Sequence, residues 1–158
     1  MSETDRAHYT PEITNFSEGE LQRLLEVASP PVCLLGGWAV HLHVTEAFEA
    51  EEGRSYIGSR DIDLGVFVDP DWRPDSMTSQ PVAQTLADIE SRMEYNRGRF
   101  GFYRYFHRST SEQLSDDEAA DHPQHDIFRL DIDIIPSTTE LDAFEETFGI
   151  QPPAEPLL

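Results

Sequence analysis

Residues 59–69 read Ser-Arg-Asp-Ile-Asp-Leu-Gly-Val-Phe-Val-Asp. Ile62, Leu64, Val66 and Val68 recur at every second position, the period of a β-strand with one apolar face. Asp61 and Asp63 then fall on the opposite face, side by side. Like charges that close raise each other's pKa unless a cation compensates. Any fold open to this chain must bury one side of the strand and supply a counter-charge on the other.

A second segment repeats the pattern. In Arg-Leu-Asp-Ile-Asp-Ile-Ile-Pro, residues 129–136, Asp131 and Asp133 alternate with Leu130, Ile132 and Ile134. Three or four carboxylates converging from two strands, with no lysine near them, call for a cation. Hard oxygen donors select Mg²⁺, Mn²⁺ or Ca²⁺ over zinc, so one divalent ion or two is expected here. The plainer alternative is a solvated acidic sheet face. That alternative has weight in this chain, which carries 31 Asp and Glu against 11 basic residues, all arginine, for a net charge of −20. Such a field repels nucleic acid and anionic membranes over most of the surface. It suits a halophilic, high-salt cytosol in which self-repulsion is screened. The 10% aromatic content and the clear apolar periodicity oppose disorder.

The other signals give an element order of α-β-α-β-α-β-β. Ser17 and Glu20 have capping-box spacing ahead of a Leu21, Leu24, Leu25, Ala28 stripe, so a helix is expected to open at Ser17. Val-Cys-Leu-Leu is a short buried strand, and Gly36-Gly37 leads into a helix ending at Gly53. Pro81 opens the next helix. Residues 99–108 form a strand with Phe100, Phe102 and Phe106 on one face and Tyr103, Tyr105 and His107 on the other. Residues 109–126 read as a mobile acidic loop. The 127–136 strand should pair antiparallel with the Phe/Tyr strand, and one short helix follows. The fold class is α/β (α+β), a mixed β-sheet with flanking helices. The 158 residues suit a single domain over 17–150, with a flexible lead-in at 1–16 and a tail at 151–158. Cys33 is the sole cysteine, which excludes an intrachain disulfide and suggests a small buried side chain. No apolar stretch approaches the ~20 residues of a membrane helix and the first residues lack an apolar export segment, so a cytoplasmic protein without a membrane partner is expected.

Glycines between a strand and a helix let backbone N–H groups approach a phosphate, although any tight turn uses them. Taken in order, Leu-Leu-Gly-Gly-Trp-Ala-Val, Ser-Arg-Asp-Ile-Asp-Leu and Arg-Leu-Asp-Ile-Asp-Ile-Ile-Pro resemble the nucleotidyltransferase superfamily of DNA polymerase β-like folds, over residues 32–136. Small prokaryotic members, of the abortive-infection toxin–antitoxin type and the aminoglycoside type, are the most similar. The resemblance implies a Mg²⁺- or Mn²⁺-dependent transfer of a nucleotidyl group from an NTP, such as ATP, to a hydroxyl on RNA, protein or a small molecule. It implies that Gly36 and Gly37 cradle the triphosphate, with Ser59 and Arg60 beside it. It implies that Asp61 and Asp63 hold the metals, and that Asp131, with Asp133 as its substitute, holds the catalytic one and helps deprotonate the acceptor. Trp38 departs from the pattern, standing where many members have a phosphate-contacting Ser. Relatives continue into a helical domain, so a partner protein or such a domain belongs among the expected partners. The alternative is a catalytically silent module of the same fold: an antitoxin, a regulator or an NTP-sensing subunit. A cation-binding acidic protein without nucleotide chemistry is a third reading, which the Gly-Gly turn opposes.

Residues 95–111 contain four arginines, six aromatics and no acid, the one basic island in the chain. Arginine interleaved with aromatics suits base stacking and phosphate contact; a Phe face in the core with arginines paired to the acidic coat is the equal alternative. His41 and His43 cannot share a helix face, so one packs inward. His122 and His125 are too few for a zinc site.

Overall fold

Pro11 and Thr10 open the first helix, α1 (Pro11–Val27), six residues ahead of the expected Ser17. Proline's fixed φ suits the first helical position, and the Thr10 hydroxyl accepts from the Ile13 N–H at 3.4 Å. Ser17 therefore lies inside the helix and is fully buried. Its hydroxyl donates to the Arg60 carbonyl at 2.6 Å and accepts from Trp38 Nε1 at 3.2 Å. One hydroxyl thus ties α1 to the residue before Asp61 and to the next helix. The computed structural model describes residues 10–53, 58–69, 71, 74–138 and 141–152.

The chain continues through β1 (Val32–Leu35), α2 (Gly36–Glu52, closed at Gly53), β2 (Ile62–Val66) and a 3-10 turn (Pro74–Ser79). Then come α3 (Pro81–Ser91), β3 (Asn96–Arg97) and β4 (Gly101–His107). After these lie β5 (Gln113–Leu114), α4 (Asp116–Asp121), β6 (Ile127–Pro136) and α5 (Leu141–Phe148). The sheet order is β1-β2-β6-β4-β3, with β5 also paired to β4. Only β2 and β6 run parallel; β6 pairs antiparallel with β4, as expected. The architecture is mixed α/β, with five helices among the described residues. Among the described residues no helix is long and apolar enough to cross a membrane.

One sheet face is the core. Ile62, Leu64, Leu130, Ile132, Ile134, Phe102 and Phe106 are buried there beneath Leu21 and Leu24 of α1 and Leu86 and Ile89 of α3. Phe16 of α1 packs its ring 4.5 Å from Phe106 and 5.3 Å from Phe128. Tyr95 enters this core with its hydroxyl on Glu20 at 2.7 Å, and burial pushes the phenol pKa well up. His41 packs edge-on against Trp38 while His43 is exposed.

Several expectations are corrected. Residues 109–126 are not a mobile loop: they fold into β5, α4 and a 3-10 turn (Gln124–Asp126). The capping box of the chain is here, with the Ser115 hydroxyl accepting from the Glu118 N–H and the Glu118 carboxylate from the Ser115 N–H. Cys33 is exposed, because its register opposite Gly65 puts it on the outer face of the sheet, while Val32 and Leu34 turn to the core. Phe100 is also exposed, since β4 begins one residue later; Arg104 shares the inner face with Phe102 and Phe106, opposite Leu130. Leu25 lies outside the buried stripe.

Ser17→Ala leaves a buried indole N–H and a backbone carbonyl without their partner. It should lower unfolding free energy by about 1–3 kcal/mol in urea titration. Ser115→Ala, at an exposed cap, should cost about 1 kcal/mol or less; equal effects would show that Ser17 is no more than a helix cap.

Candidate functional site

The face opposite the core carries the aspartates. In the parallel β2–β6 register Ile62 pairs with Ile132 and Asp63 with Asp133. Apolar partners thus meet on the inner face and carboxylates on the outer one. Asp131 precedes Asp133 by one strand period and shares its face, and Asp61 stands just before β2. All four carboxylates thus lie on the outer side of the sheet.

They divide into two kinds. The outer two are held by arginine. Arg60 binds Asp61 through both oxygens at 2.9 Å, and Arg129 binds Asp131 Oδ1 at 2.7 Å. The Arg129 guanidinium also lies 4.2 Å from the Tyr103 ring centre. The inner two, Asp63 and Asp133, have no ion-pair partner among the described residues. Burial first, then the neighbouring Asp63, Asp131 and Asp61 charges, pushes the Asp133 carboxyl up to about 6. Burial and Asp61 raise that of Asp63. Two half-buried carboxylates in contact register, each raised by burial and by its acidic neighbours, make an electrostatically costly pair. The arginines that answer Asp61 and Asp131 are visible in the sequence as an Arg just before each Asp-x-Asp.

Main chain walls the inner pair. Leu35, the last residue of β1, pairs with Asp63 and is followed at once by Gly36, the start of α2. Gly36 has φ +59°, and a Cβ there would collide with the Asp63 carboxylate. Gly37 lies against Ser59, whose Cβ would be 2.9 Å from any Cβ at that position. On the other flank Gly101 of β4 pairs with Asp133, and a Cβ there would strike the Ile132 carbonyl. Gly36 and Arg60 thus border the aspartates, Gly37 and Ser59 lie against each other, and the glycines are required by their own neighbours. Trp38 is turned into the core and takes no place at this site. Gly101 is the residue that sequence reasoning missed; its position opposite the second aspartate pair was the available signal.

The donor set fits a hard divalent ion. Mg²⁺ is commonly held by one or two carboxylates, with water and substrate phosphates completing its shell. Asp63 and Asp133 would supply such a pair. No ready group of three or more His, Cys, Asp or Glu side chains exists among the described residues, since Asp61 and Asp131 are turned to their arginines.

Two cavities flank the aspartates. A small one of about 150 Å³ runs from Arg99 and Phe100 to Asp131 and Asp133. A larger one of about 600 Å³ lies between α4 and the outer face of the sheet, and Arg129 borders both. Most of the basic island is structural. Arg97 binds Glu90 and the Phe148 carbonyl, Arg99 binds Gln151, and Arg104 lies on the core face. Only Tyr105 and Arg108 of that segment reach the larger cavity.

The Asp133 shift sets a pH dependence. A carboxyl with a raised folded pKa stabilises the fold fully below its unfolded value near 4, and that contribution is lost as pH rises through about 6. Asp133→Asn removes the penalty. In EDTA it should gain about 1 kcal/mol over the native chain near pH 7, allowing for solvent screening of a half-exposed group, and gain little near pH 4. Urea unfolding at both pH values checks this; a gain independent of pH would mean that charge is not its source. Compared with known protein families, curated proteins and solved structures, the chain has no match.

Proposed function

We propose that the chain is a Mg²⁺- or Mn²⁺-dependent nucleotidyltransferase that moves a nucleotidyl group from an NTP to a hydroxyl acceptor. The observation that carries this reading is the Asp63–Asp133 pair, uncompensated and half-buried, beside the Gly36-Gly37 entry to a helix. In this reading Asp63 and Asp133 would hold the ion, while Asp61 and Asp131 keep Arg60 and Arg129 at its border. A divalent ion bound there supplies charge stabilisation to the phosphoryl oxygens and lowers the pKa of a bound hydroxyl. The start of α2, with its peptide N–H groups and positive dipole end, lies next to Asp63 and is suited to phosphate oxygens. Arg60 adds a guanidinium on the same side.

In the reaction the acceptor oxygen forms a bond to the α-phosphorus as the bond to the β-phosphate oxygen breaks. Pyrophosphate leaves with that electron pair. The acceptor proton passes to a carboxylate oxygen of Asp131 or Asp133; the position of Asp133 beside Asp63 favours Asp133.

A silent module of the same fold is the second reading. It is favoured by the Arg60–Asp61 and Arg129–Asp131 pairs, which occupy two of the four carboxylates. Two measurements separate the readings. Mg²⁺ or Mn²⁺ should raise the melting temperature over a monovalent-salt background by mass action, and Asp63→Asn with Asp133→Asn should abolish that rise. Calorimetry in Mg²⁺ with ATP, GTP, CTP and UTP should show binding of at least one, weakened by Arg60→Ala and unchanged by Arg23→Ala on the far helix. Transfer of label from an NTP to an acceptor in cell extract then marks an active enzyme. NTP binding without transfer supports the silent module, and absence of any NTP binding overturns the transferase reading and leaves the silent module.

A further inference from the structure

The larger cavity has a chemistry at odds with the rest of the molecule. In a chain of net charge −20 its wall carries Arg60, Arg108 and Arg129, the Tyr105 and His122 rings, and one acid, Asp116. Asp116 is occupied, accepting from the Tyr103 hydroxyl at 2.7 Å and from Asn96 at 3.1 Å. Arg60 and Arg129 are anchored on Asp61 and Asp131, which fixes their guanidinium planes at the border with the aspartate face. Arg108 donates Nε to the Ile127 carbonyl at 3.2 Å and has no carboxylate partner among the described residues. His122 stands edge-on to His107, with ring centres 5.2 Å apart.

We propose that this groove binds the end of a single nucleic-acid strand, and that such a strand is the hydroxyl acceptor of the reaction proposed above, on which the acceptor role depends. Guanidinium groups complement phosphodiester oxygens, and aromatic rings stack on unpaired bases of any sequence. A volume of about 600 Å³ admits one or two nucleotides rather than a long segment. The surrounding acidic surface works against a duplex, which carries a phosphate charge every ~1.7 Å of its axis. A short single-stranded end presents few phosphates and keeps the rest of its charge away. A polycationic amino sugar, another class of hydroxyl acceptor, meets three arginines here and is repelled. Arg129 gives the geometry its direction: it borders the groove and binds Asp131, so a strand end lying along it is led to the aspartates.

The test is fluorescence anisotropy of the full chain with a labelled RNA hexanucleotide of mixed sequence, in EDTA and without NTP, across a salt series. Saturable binding is expected. If all three arginines meet phosphates, the slope of log K against log salt should be about −2, and Arg108→Ala should flatten it by about 0.7. Tyr105→Ala should weaken binding about tenfold or more at every salt concentration, while Tyr105→Phe keeps the ring and most of the affinity. Arg92→Ala, on the exposed side of α3, serves as the charge control and should change nothing. The same sequence as a duplex should bind more weakly. Absence of hexanucleotide binding overturns the proposal, as does binding indifferent to both Arg108→Ala and Tyr105→Ala, or a preference for an amino sugar. Calorimetry with NTP on the same preparation keeps the two claims apart. NTP binding without oligonucleotide binding removes the acceptor and leaves the transferase reading. Oligonucleotide binding without NTP binding leaves the groove as a nucleic-acid site and removes its acceptor role.

Discussion

The parallel pairing of β2 with β6 governs the molecule. Because side chains alternate across a strand, one register decides both faces at once. Placing Ile62 beside Ile132 builds the middle of the core and forces Asp63 beside Asp133 on the other side. A slip of one residue would drive aspartates into the core and isoleucines into water. The apolar face therefore holds together two carboxylates that would otherwise separate, and the stability of the core carries the electrostatic cost of the site.

The sheet contains that cost by unequal means. Arginines placed just ahead of each aspartate pair neutralise the outer carboxylates, where solvent is near and a guanidinium can reach. The inner two form no ion pair among the described residues, and the charge of Arg129 offsets only part of what burial and the other aspartates impose on Asp133. The same two arginines form the edge of the larger groove, so the aspartate face and the groove share their charged groups. A change at either would be felt at the other through Arg60 and Arg129.

Much of this was legible in the sequence because it rests on alternation, which a strand cannot hide. The apolar and acidic faces of β2 and β6, their place in one sheet and the helix that follows β1 all come from period and punctuation, although that helix opens at Gly36, two residues before the expected Trp38. Local capping signals were less dependable. The Ser-x-x-Glu spacing occurs at Ser17–Glu20 and at Ser115–Glu118, and only the second is a capping box. At the first, Pro11 and Thr10 had already begun the helix, and Ser17 was drawn to Trp38 and Arg60, partners far away in sequence. Cys33 misled for a related reason: an unbroken apolar run shows that a strand exists but not which of its side chains face the core. The sorting of arginines into those that bridge, those that brace the core and those that line the groove depends on which strand face each occupies and where its guanidinium reaches. Residues 97 to 108 send theirs in three directions.

Gly36 and Gly101 bracket the inner aspartates from opposite sides, each pressed against its neighbour so closely that even a methyl group has no room. Neither offers a functional group, and neither would attract notice in a search for reactive chemistry. Yet the width of the slot between the end of β1 and the start of β4 is fixed by these two positions, in main chain rather than in adjustable side chains. In a map of tolerated substitutions, the most intolerant positions around this site would include two that bring no side-chain chemistry, and the outline of the slot would be traced by residues that have no side chain at all.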